Sequence, residues 1–213
     1  MEREIDYTIA RRRMVREQLY ARGITGRRLL HAFLRVPRHV FVDAAIGARA
    51  YEDCSLPIGY SQTISQPYTI AFMLESLDVH AQCRILEVGT GSGFQTAILS
   101  LVARDVFSIE RVAQLSKKAE QTLTRIPTGR IRLKVGDGAL GWSYYAPFDR
   151  IIVSAAMPEW PSVLLEQLVD GGTLIAPMAK EIECLMLFHK VADRVQTRRL
   201  SRCAFVPLLK GVE

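Results

Sequence analysis

The chain has 213 residues, of which 49% are hydrophobic and 23% are charged, and its formal net charge is +6 at pH 7. These proportions are ordinary for a soluble globular protein, and the length predicts one domain with a full hydrophobic core. No apolar run approaches the roughly 18 residues that a membrane span needs, and the charged first residues lack the apolar segment of a signal peptide. We therefore expect a cytoplasmic protein with no membrane partner.

The cysteine and histidine residues do not predict a metal site. The four cysteines form no C-x-x-C pair and the four histidines form no ligand pair, so we expect neither a metal nor a redox motif. Much of the positive charge lies in two arginine clusters, at residues 11–13 and 198–199. Such clusters are usually solvated faces, although a basic protein can also bind nucleic acid or acidic substrates.

The first part of the chain predicts two helices. Residues 5–22 carry apolar side chains at helical spacing and are followed by Gly23, where a helix C-cap is expected. Thr25 can cap a second helix, which Pro37 ends. These helices have no place in a sheet, and we expect them to pack across its ligand side as a lid or wall.

Residues 57–68, PIGYSQTISQPY, are rich in turn formers and hydroxyl groups. Ser65 or Gln66 can cap a helix that has Pro67 just inside its start and continues through residues 69–77. A helix N-terminus offers free N–H groups and a positive dipole end, which suit a carboxylate. The alternative is a capping loop that binds nothing.

From residue 84 onward, strand patterns alternate with helix patterns. Strands are predicted at 84–89, 105–110, 131–135, 148–154, 172–177, 183–189 and 199–206, and helices at 93–103, 112–125 and 160–169. Such alternation predicts a parallel, doubly wound sheet. No helix separates the last two strands, so we expect a hairpin at residues 192–194 and an antiparallel edge.

The first of these strands leads into a glycine turn. The segment RILEVGTGSG (84–93) places Glu87 before Gly89, Gly91 and Gly93 on alternate positions. A tight glycine turn between a buried strand and a helix builds a nucleotide pocket in doubly wound sheets. Its spacing is G-x-G-x-G, unlike the G-x-G-x-x-G of dinucleotide-binding proteins, and it resembles the first motif of S-adenosylmethionine-dependent methyltransferases. The alternative is a turn without a ligand.

Two acids follow at the ends of the next two strands. Glu110 lies about 20 residues after the glycine turn, the distance at which an acid binds ribose hydroxyls. Asp137 ends the third strand, where its carboxylate can accept a hydrogen bond from an adenine amino group, although an Asp-Gly pair can also be a simple turn. Because ligands bind at the carboxyl ends of parallel strands, three polar strand ends favour a pocket.

Eight segments carry a resemblance to one family. They are VPRHVFVD (36–43), LPIGYSQTISQPY (56–68), ILEVGTGSGFQTAIL (85–99), SIER (108–111), VGDGALGW (135–142), APFDRIIVSAA (146–156), LLEQLVDGGTLIAPM (164–178) and FVPLLKG (205–211). With them the chain resembles the protein-L-isoaspartate (D-aspartate) O-methyltransferases over residues 14–211, and QTISQPY is specific to that family.

The resemblance implies a Rossmann-like methyltransferase fold. Its expected architecture is α/β, a doubly wound and mostly parallel seven-stranded sheet with an antiparallel edge and an added N-terminal helical segment. One domain would span residues 1–213, with the helical lid and active-site loop in 1–78 and the cofactor-binding sheet core in 79–213.

The resemblance also implies the site residues. Ser65 matches the active-site serine. The positions expected to bind S-adenosylmethionine are Gln62, Thr63, Ile64, Ser65, Ile70, Glu87, Gly89, Gly91, Glu110, Asp137 and Gly138. The positions expected along the path of the substrate peptide are Val206, Pro207 and Leu208.

The implied reaction methylates the free α-carboxylate of L-isoaspartyl and D-aspartyl residues in damaged proteins, which starts their repair through a succinimide. Alternatives are a carboxyl methyltransferase for a dedicated peptide or small acid, and a non-catalytic cofactor-binding protein. Nucleic-acid methylation is disfavoured because residues 154–158 lack the [DN]-P-P-[YF] motif of that class. Isoaspartyl proteins are thus the expected partners of a monomer or weak oligomer, with no nucleic acid.

Two residues depart from the family pattern. Ser61 stands where a glycine commonly precedes Q-T-I-S, and Ala179 stands where the family usually has glycine after Pro-Val. If either position needs a positive φ angle, the backbone will shift or carry strain. We expect these departures to affect substrate choice more than cofactor binding.

Overall fold

The computed structural model of the protein describes residues 6–179, 183–192 and 194–213. The helices are α1 (Thr8–Arg13), α2 (Arg27–Arg35), α3 (Pro67–Ser76), α4 (Phe94–Val102), α5 (Ala113–Leu123) and α6 (Ser162–Glu166). The strands are β1 (Leu56–Gly59), β2 (Gln62–Ile64), β3 (Arg84–Val88), β4 (Asp105–Glu110), β5 (Arg130–Val135), β6 (Phe148–Val153), β7 (Leu168–Met178), β8 (Cys184–Val191) and β9 (Arg194–Arg202). Among these helices none combines the length and the apolar character that crossing a membrane requires.

Seven strands form the central sheet in the order β5-β4-β3-β6-β7-β8-β9. The strands from β5 to β7 pair in parallel, whereas β8 pairs antiparallel with both β7 and β9. The predicted doubly wound, mostly parallel sheet with an antiparallel edge is confirmed. The chain first builds outward from β3 to β5 and then returns to the other side of β3 with β6, so the strand order reverses between β3 and β6. Ligands of such sheets bind at this point.

The sheet is buried on both faces, which explains the nearly continuous apolar runs of its central strands. Successive residues of β3 point to opposite sides: Ile85 lies in one apolar cluster, and Leu86 lies in the other. The first cluster also contains Met14 and Phe33 from the N-terminal helices and Phe94 from α4. The N-terminal segment therefore shares a hydrophobic core with the sheet.

The predicted N-terminal helix is not regular over its full length. After α1 the chain continues as a π-helical stretch (Met14–Leu19) and a 3₁₀ turn (Tyr20–Arg22), and it ends at Gly23 with φ +95°, as expected for a C-cap. The predicted Thr25 cap is wrong, because the carboxylate of Glu75 accepts the backbone N–H groups of Thr25 and Gly26 at 2.7 and 3.1 Å. An acid 50 residues away thus replaces the local cap.

Of the N-terminal helices, α2 packs on a helix of the sheet layer. The Phe33 ring of α2 contacts the Phe94 ring of α4 edge-on, with 5.9 Å between ring centroids. The predicted lid stays a prediction, and the segment after these helices reaches the ligand edge, where Gln62–Ile64, Ser65 and Ile70 line the main cavity. Because α2 buries its apolar face on α4, it is not free to cover the strand ends.

The start of α3 is stabilised from a distance as well. Pro67 occupies the first helical position, as predicted, and neither Ser65 nor Gln66 caps the helix with its side chain. Instead, the Asp53 carboxylate accepts the backbone N–H of Tyr68 at 3.1 Å. This contact ties the loop before β1 to the segment that carries Ser65.

The ends of the last elements differ from the prediction. Helix α6 covers only Ser162–Glu166, because β7 already begins at Leu168. Strand β9 ends at Arg202 rather than at residue 206, and its pairing with β8 runs from Arg202 opposite Cys184 to Arg194 opposite Val191. Asp193, in the predicted hairpin, lies outside the described residues. Beyond β9 the chain returns across the carboxyl edge of the sheet, where Pro207 bridges to Ala156.

Candidate active site

The glycine turn after β3 needs glycine at all three predicted positions. Gly89, Gly91 and Gly93 have φ angles of +96°, +54° and +88°, which side-chain-bearing residues rarely adopt. A Cβ atom on Gly93 would also lie 3.2 Å from the Cβ of Ala119 in α5. The turn therefore allows α4 to start close to α5 and exposes backbone at the carboxyl end of β3.

Glu110 at the end of β4 is fixed beside this turn. Its Oε2 accepts the N–H of Gly91 at 2.8 Å, and its Oε1 accepts the N–H of Val112 at 3.0 Å. Each carboxylate oxygen has a second lone pair that can still accept a ligand hydroxyl. Its position at the cavity wall fits the predicted ribose-binding role, which stays a prediction.

A cavity of about 840 Å³, including space open to solvent, lies at the carboxyl ends of β3, β4 and β6. The predicted residues that line it are Gln62, Thr63, Ile64, Ser65, Ile70, Gly89, Gly91, Glu110, Gly138, Val206, Pro207 and Leu208. The sequence prediction missed other lining residues, which are Val88, Thr90, Ser92, Gln95, Ile109, Arg111, Ser154, Ala155 and Leu209. We call this space the first cavity.

Glu87 was predicted to contact the cofactor but lies behind the wall of the first cavity. It is fully buried, and its carboxylate accepts hydrogen bonds from Gln95 Nε2 at 2.9 Å, Ser108 Oγ at 2.6 Å and Thr96 Oγ1. Burial raises the pKa of Glu87 to about 7, against the lowering effect of these donors, and the nearby charge of Glu110 raises it further. The sequence therefore predicts an acid near the end of β3 correctly. Glu87 itself does not line the cavity, but Gln95, which donates to Glu87, does.

Asp137 was predicted to bind adenine, and its carboxylate makes two contacts with backbone. One oxygen accepts the N–H of Ala139 at 2.9 Å and the other accepts the N–H of Gly211 at 2.8 Å. Asp137 is not among the lining residues of the first cavity, whereas Gly138 is. A Cβ atom on Gly138 would lie 2.3 Å from Val88 Cγ1, so this position needs glycine. The adenine contact of Asp137 stays a prediction.

The turn between β1 and β2 is strained. Tyr60 and Ser61 have φ angles of +52° and +53°, in the left-handed region that costs an L-residue about 1–2 kcal/mol. The condition stated for Ser61, a positive φ angle, is therefore met. Ala179 is not among the positive-φ residues, so the second departure carries no strain of this kind.

Arg38 holds the loop that carries Ser65. It is fully buried, and its guanidinium donates to the carbonyl oxygens of Ala50 at 2.7 Å and Ser65 at 2.8 Å. No ion pair to a carboxylate is found for it among the described residues, and burial lowers its pKa to about 10. Sequence reasoning missed Arg38 because nothing in VPRHVF shows that the arginine points inward.

A second cleft adjoins the first cavity. Its walls include Arg22, Tyr68, Phe72, Arg202 and Phe205, and four residues line both spaces. The four shared residues are Thr63, Ser65, Ser154 and Val206. The Arg22 guanidinium lies 3.5 Å above the ring of Tyr68 and pairs with Asp53. The cleft is thus aromatic and basic, and two serines are among the residues at which it meets the first cavity.

Comparison with known proteins identifies close similarity over nearly the whole chain. A family model described as protein-L-isoaspartate (D-aspartate) O-methyltransferase matches residues 10–213. The chain is 45% identical over 207 residues to the protein-L-isoaspartate O-methyltransferase of Trichlorobacter lovleyi, covering 96% of this chain and 95% of that one. It is 46% identical over 196 residues to protein-L-isoaspartate O-methyltransferase 1 of Marinobacter nauticus, covering 92% and 90% of the two chains.

Solved structures show the same fold. A protein-L-isoaspartate O-methyltransferase structure matches with a TM-score of 0.86 and 25% identity, covering 92% of this chain and 65% of that one. A putative protein-L-isoaspartate O-methyltransferase from Plasmodium falciparum, solved with S-adenosyl-L-homocysteine, matches with a TM-score of 0.82 and 23% identity, covering 97% and 100% of the two chains.

Proposed function

The chain belongs to the protein-L-isoaspartate (D-aspartate) O-methyltransferase family, and we propose that it transfers a methyl group from S-adenosylmethionine to the free α-carboxylate of L-isoaspartyl and D-aspartyl residues. One observation supports this most directly: the first cavity and the second cleft share a wall at Thr63, Ser65, Ser154 and Val206. A transferase has to bring its two ligands into contact. Because the two spaces share lining residues, they adjoin, and ligands bound in them can meet.

The residues of the first cavity fit S-adenosylmethionine, which has ribose hydroxyls and a sulfonium but no phosphate. Glu110 offers acceptor oxygens at the cavity wall, and its negative charge is compatible with a cationic ligand. The only basic residue of the lining is Arg111, and it pairs with Glu213 at 2.8 Å. A phosphate-binding cavity would offer free basic groups or a phosphate-binding turn. When bound, S-adenosylmethionine supplies an electrophilic methyl group.

The residues of this chain would orient the substrate carboxylate rather than activate it. A carboxylic acid with a pKa near 4 is ionised at pH 7, so the reaction needs no general base. We assign to Ser65 a hydrogen bond to this carboxylate, which would direct one carboxylate oxygen toward the methyl group. The Arg38 guanidinium donates to the carbonyl oxygen of Ser65 and so keeps the Ser65 backbone in place. Orientation of this kind can contribute about 7–11 kcal/mol to catalysis.

The second cleft would hold the peptide. Arg202 in its lining favours an acidic ligand, whereas Arg22 already pairs with Asp53. The aromatic rings of Phe72 and Phe205 offer apolar surface for peptide side chains. Val206 lines both spaces, which supports its place on the predicted substrate path. Pro207 and Leu208 line only the first cavity, so their contacts with the peptide stay predictions. The backbone amide nitrogen that follows can attack the ester carbonyl carbon and expel methanol, which leaves far more readily than an oxygen of the ionised carboxylate. The succinimide therefore re-forms without further catalysis, and repair can begin.

The proposed function also includes a partner, a cellular compartment and an oligomeric form. Damaged isoaspartyl proteins are the proposed partners, the cytoplasm is the proposed compartment, and a monomer or weak oligomer without nucleic acid is the proposed active form. No group of three or more His, Cys, Asp or Glu side chains in the described ranges is arranged to hold a metal ion, and the proposed reaction requires none.

The test is methyl transfer from labelled S-adenosylmethionine to a short isoaspartyl peptide, beside the same peptide with normal aspartate. We expect label on the isoaspartyl peptide alone, released by mild base because a carboxyl methyl ester hydrolyses readily. Transfer to neither peptide, with S-adenosylhomocysteine binding intact by calorimetry, would contradict the proposal and support a dedicated substrate or a non-catalytic role.

A further inference from the structure

Ser154 lies where the two spaces meet, and it was not predicted as a site residue. It directly follows β6, beside the reversal of strand order between β3 and β6. Its N–H donates to the Val88 carbonyl at 2.9 Å, and a Cβ atom on Gly89 would lie 3.4 Å from its own Cβ. The backbone of Ser154 is therefore held against the glycine turn, and its side chain forms part of both linings.

The hydroxyl of Ser154 is bonded to a buried amide. Gln95 Nε2 donates to Ser154 Oγ at 2.9 Å and to Glu87 Oε1 at 2.9 Å. Gln95 thus presents its NH₂ group, rather than its carbonyl oxygen, to Glu87 Oε1, and the ionised form of Glu87 favours this orientation because an ionised carboxylate can only accept hydrogen bonds. The second N–H of the same group then points to Ser154, which must accept it.

This arrangement leaves the Ser154 proton available. In the described part of the chain, no hydrogen bond uses the Ser154 hydroxyl as a donor, although its oxygen accepts from Gln95. A hydroxyl whose oxygen already accepts from an amide donates most readily to an acceptor in front of it. A substrate carboxylate at the shared wall would be such an acceptor.

We propose that Ser154 is a second substrate-binding hydroxyl, which donates to the isoaspartyl carboxylate beside Ser65, and that Gln95 and Glu87 are positioning residues that set Ser154 as a donor. The proposal rests on the proposed function. Ser65 precedes α3 and Ser154 follows β6, so the two hydroxyls reach the shared wall from different elements. Two donors on one carboxylate oxygen limit rotation of the group, which leaves the other oxygen free to attack the methyl carbon.

The test is a set of variants assayed with the isoaspartyl peptide and, separately, for S-adenosylhomocysteine binding by calorimetry. Ser154→Ala should lower kcat/KM about 10- to 100-fold, the size typical of one hydrogen bond to a charged group. Its affinity for S-adenosylhomocysteine should change less than about twofold, because the hydroxyl contacts the substrate in this proposal. Ser154→Cys, which keeps the shape but donates weakly, should lose nearly as much activity.

The positioning role of Gln95 needs a double-mutant cycle. Gln95→Met removes the amide and keeps the length, and it should lower kcat/KM about 3- to 10-fold. Because Gln95 acts through Ser154, the double variant with Ser154→Ala should be no slower than Ser154→Ala alone. Ser162→Ala, at an exposed serine outside both linings, is the matched control and should keep wild-type activity.

Each outcome decides between the alternatives. Wild-type kcat/KM in Ser154→Ala and Ser154→Cys would overturn the proposal. A loss of S-adenosylhomocysteine affinity equal to the loss of kcat/KM would also overturn it and would assign Ser154 to the cofactor. Multiplicative losses in the double variant would overturn the positioning role. If the wild-type protein methylates no isoaspartyl peptide, the proposed function fails as well, whereas the other results leave it standing.

Discussion

Two turns adjoin segments that line the first cavity, and they reach positive φ angles in different ways. The turn after β3 uses Gly89, Gly91 and Gly93, for which such angles carry no steric cost. The turn between β1 and β2 places Tyr60 and Ser61 in the left-handed region, where a side chain is unfavourable. The turn after β3 is thus built from glycines, which suit positive φ angles. The turn before the Ser65 segment holds two side-chain-bearing residues, Tyr60 and Ser61, in a strained conformation.

This difference matches the contacts that hold each turn. The glycine turn is part of the sheet: the Gly89 N–H donates to the Ile109 carbonyl at 2.8 Å, and the Gly91 N–H donates to Glu110. The loop with Ser65 depends instead on side chains from other elements, Arg38 and Asp53. Strain persists in a fold only where surrounding contacts over-determine it. The glycine turn is thus held by backbone and side chains of the sheet, whereas the segment with Ser65 is held by side chains of distant elements.

The largest effect is expected from Gly93→Ala. The left-handed φ angle and the contact with Ala119 at 3.2 Å should together lower the free energy of unfolding by about 2–4 kcal/mol in urea denaturation. Gly23→Ala is the matched control, since its φ is +95° with no atom within 4 Å of an added Cβ, and it should cost only about 1–2 kcal/mol. Equal losses in the two variants would show that the close packing of α4 on α5 is unimportant.

The second prediction concerns the pH dependence of stability, which should reflect the titration of Glu87 near the end of β3. Because the folded-state pKa is raised to about 7 from 4.5, the folded state binds the proton more tightly than the unfolded chain does. The free energy of unfolding should therefore fall as pH rises from about 4.5 to 7, by at most about 1.4 kcal/mol for each pH unit.

Glu87→Gln keeps the shape of the side chain and removes this titration. Denaturation of the variant between pH 5 and 8 should show a flatter stability profile than the wild type. Identical slopes would mean that Glu87 stays ionised throughout and that the three donors outweigh its burial.

Ser65→Ala tests the segment after β2, because it should lower turnover without weakening cofactor binding. We expect kcat with the isoaspartyl peptide to fall about 10- to 100-fold, because one oriented hydrogen bond to the carboxylate is lost. Affinity for S-adenosylhomocysteine should stay nearly constant in calorimetry. Equal turnover in the variant would remove Ser65 from the proposed mechanism.

The smallest effect is expected at the strained turn itself. Ser61→Gly relieves the positive φ but adds flexibility to the unfolded chain, so it should stabilise the protein by about 0.5–1 kcal/mol in thermal or urea denaturation. Ala179→Gly is the control, because Ala179 has no positive φ and glycine there should destabilise by about 0.5–1 kcal/mol. A destabilised Ser61→Gly variant would contradict the assignment of strain to this turn.

Local patterns in the sequence determined the sheet and the glycine side of the cavity. Alternating strand and helix periods predict a doubly wound sheet, and parallel strands bring their carboxyl ends to one edge whatever their order. Gly89, Gly91 and Glu110 could therefore be placed together before any coordinates were known. The QTIS segment was recognised through the family resemblance, since its own chemistry also fits a simple capping loop.

Only the tertiary structure decided which polar groups meet across the fold. Three contacts, the Glu75 cap on α2, the Asp53 cap on α3 and the Arg38 bond to Ser65, join residues 15 to 50 positions apart, and no local pattern marks them. Glu87 lies on β3 and Ser154 directly follows β6, and Gln95 connects them only because β6 packs beside β3. Backbone periodicity is a local property that a sequence displays, whereas a hydrogen bond between distant side chains exists only after the chain has closed the loops between them.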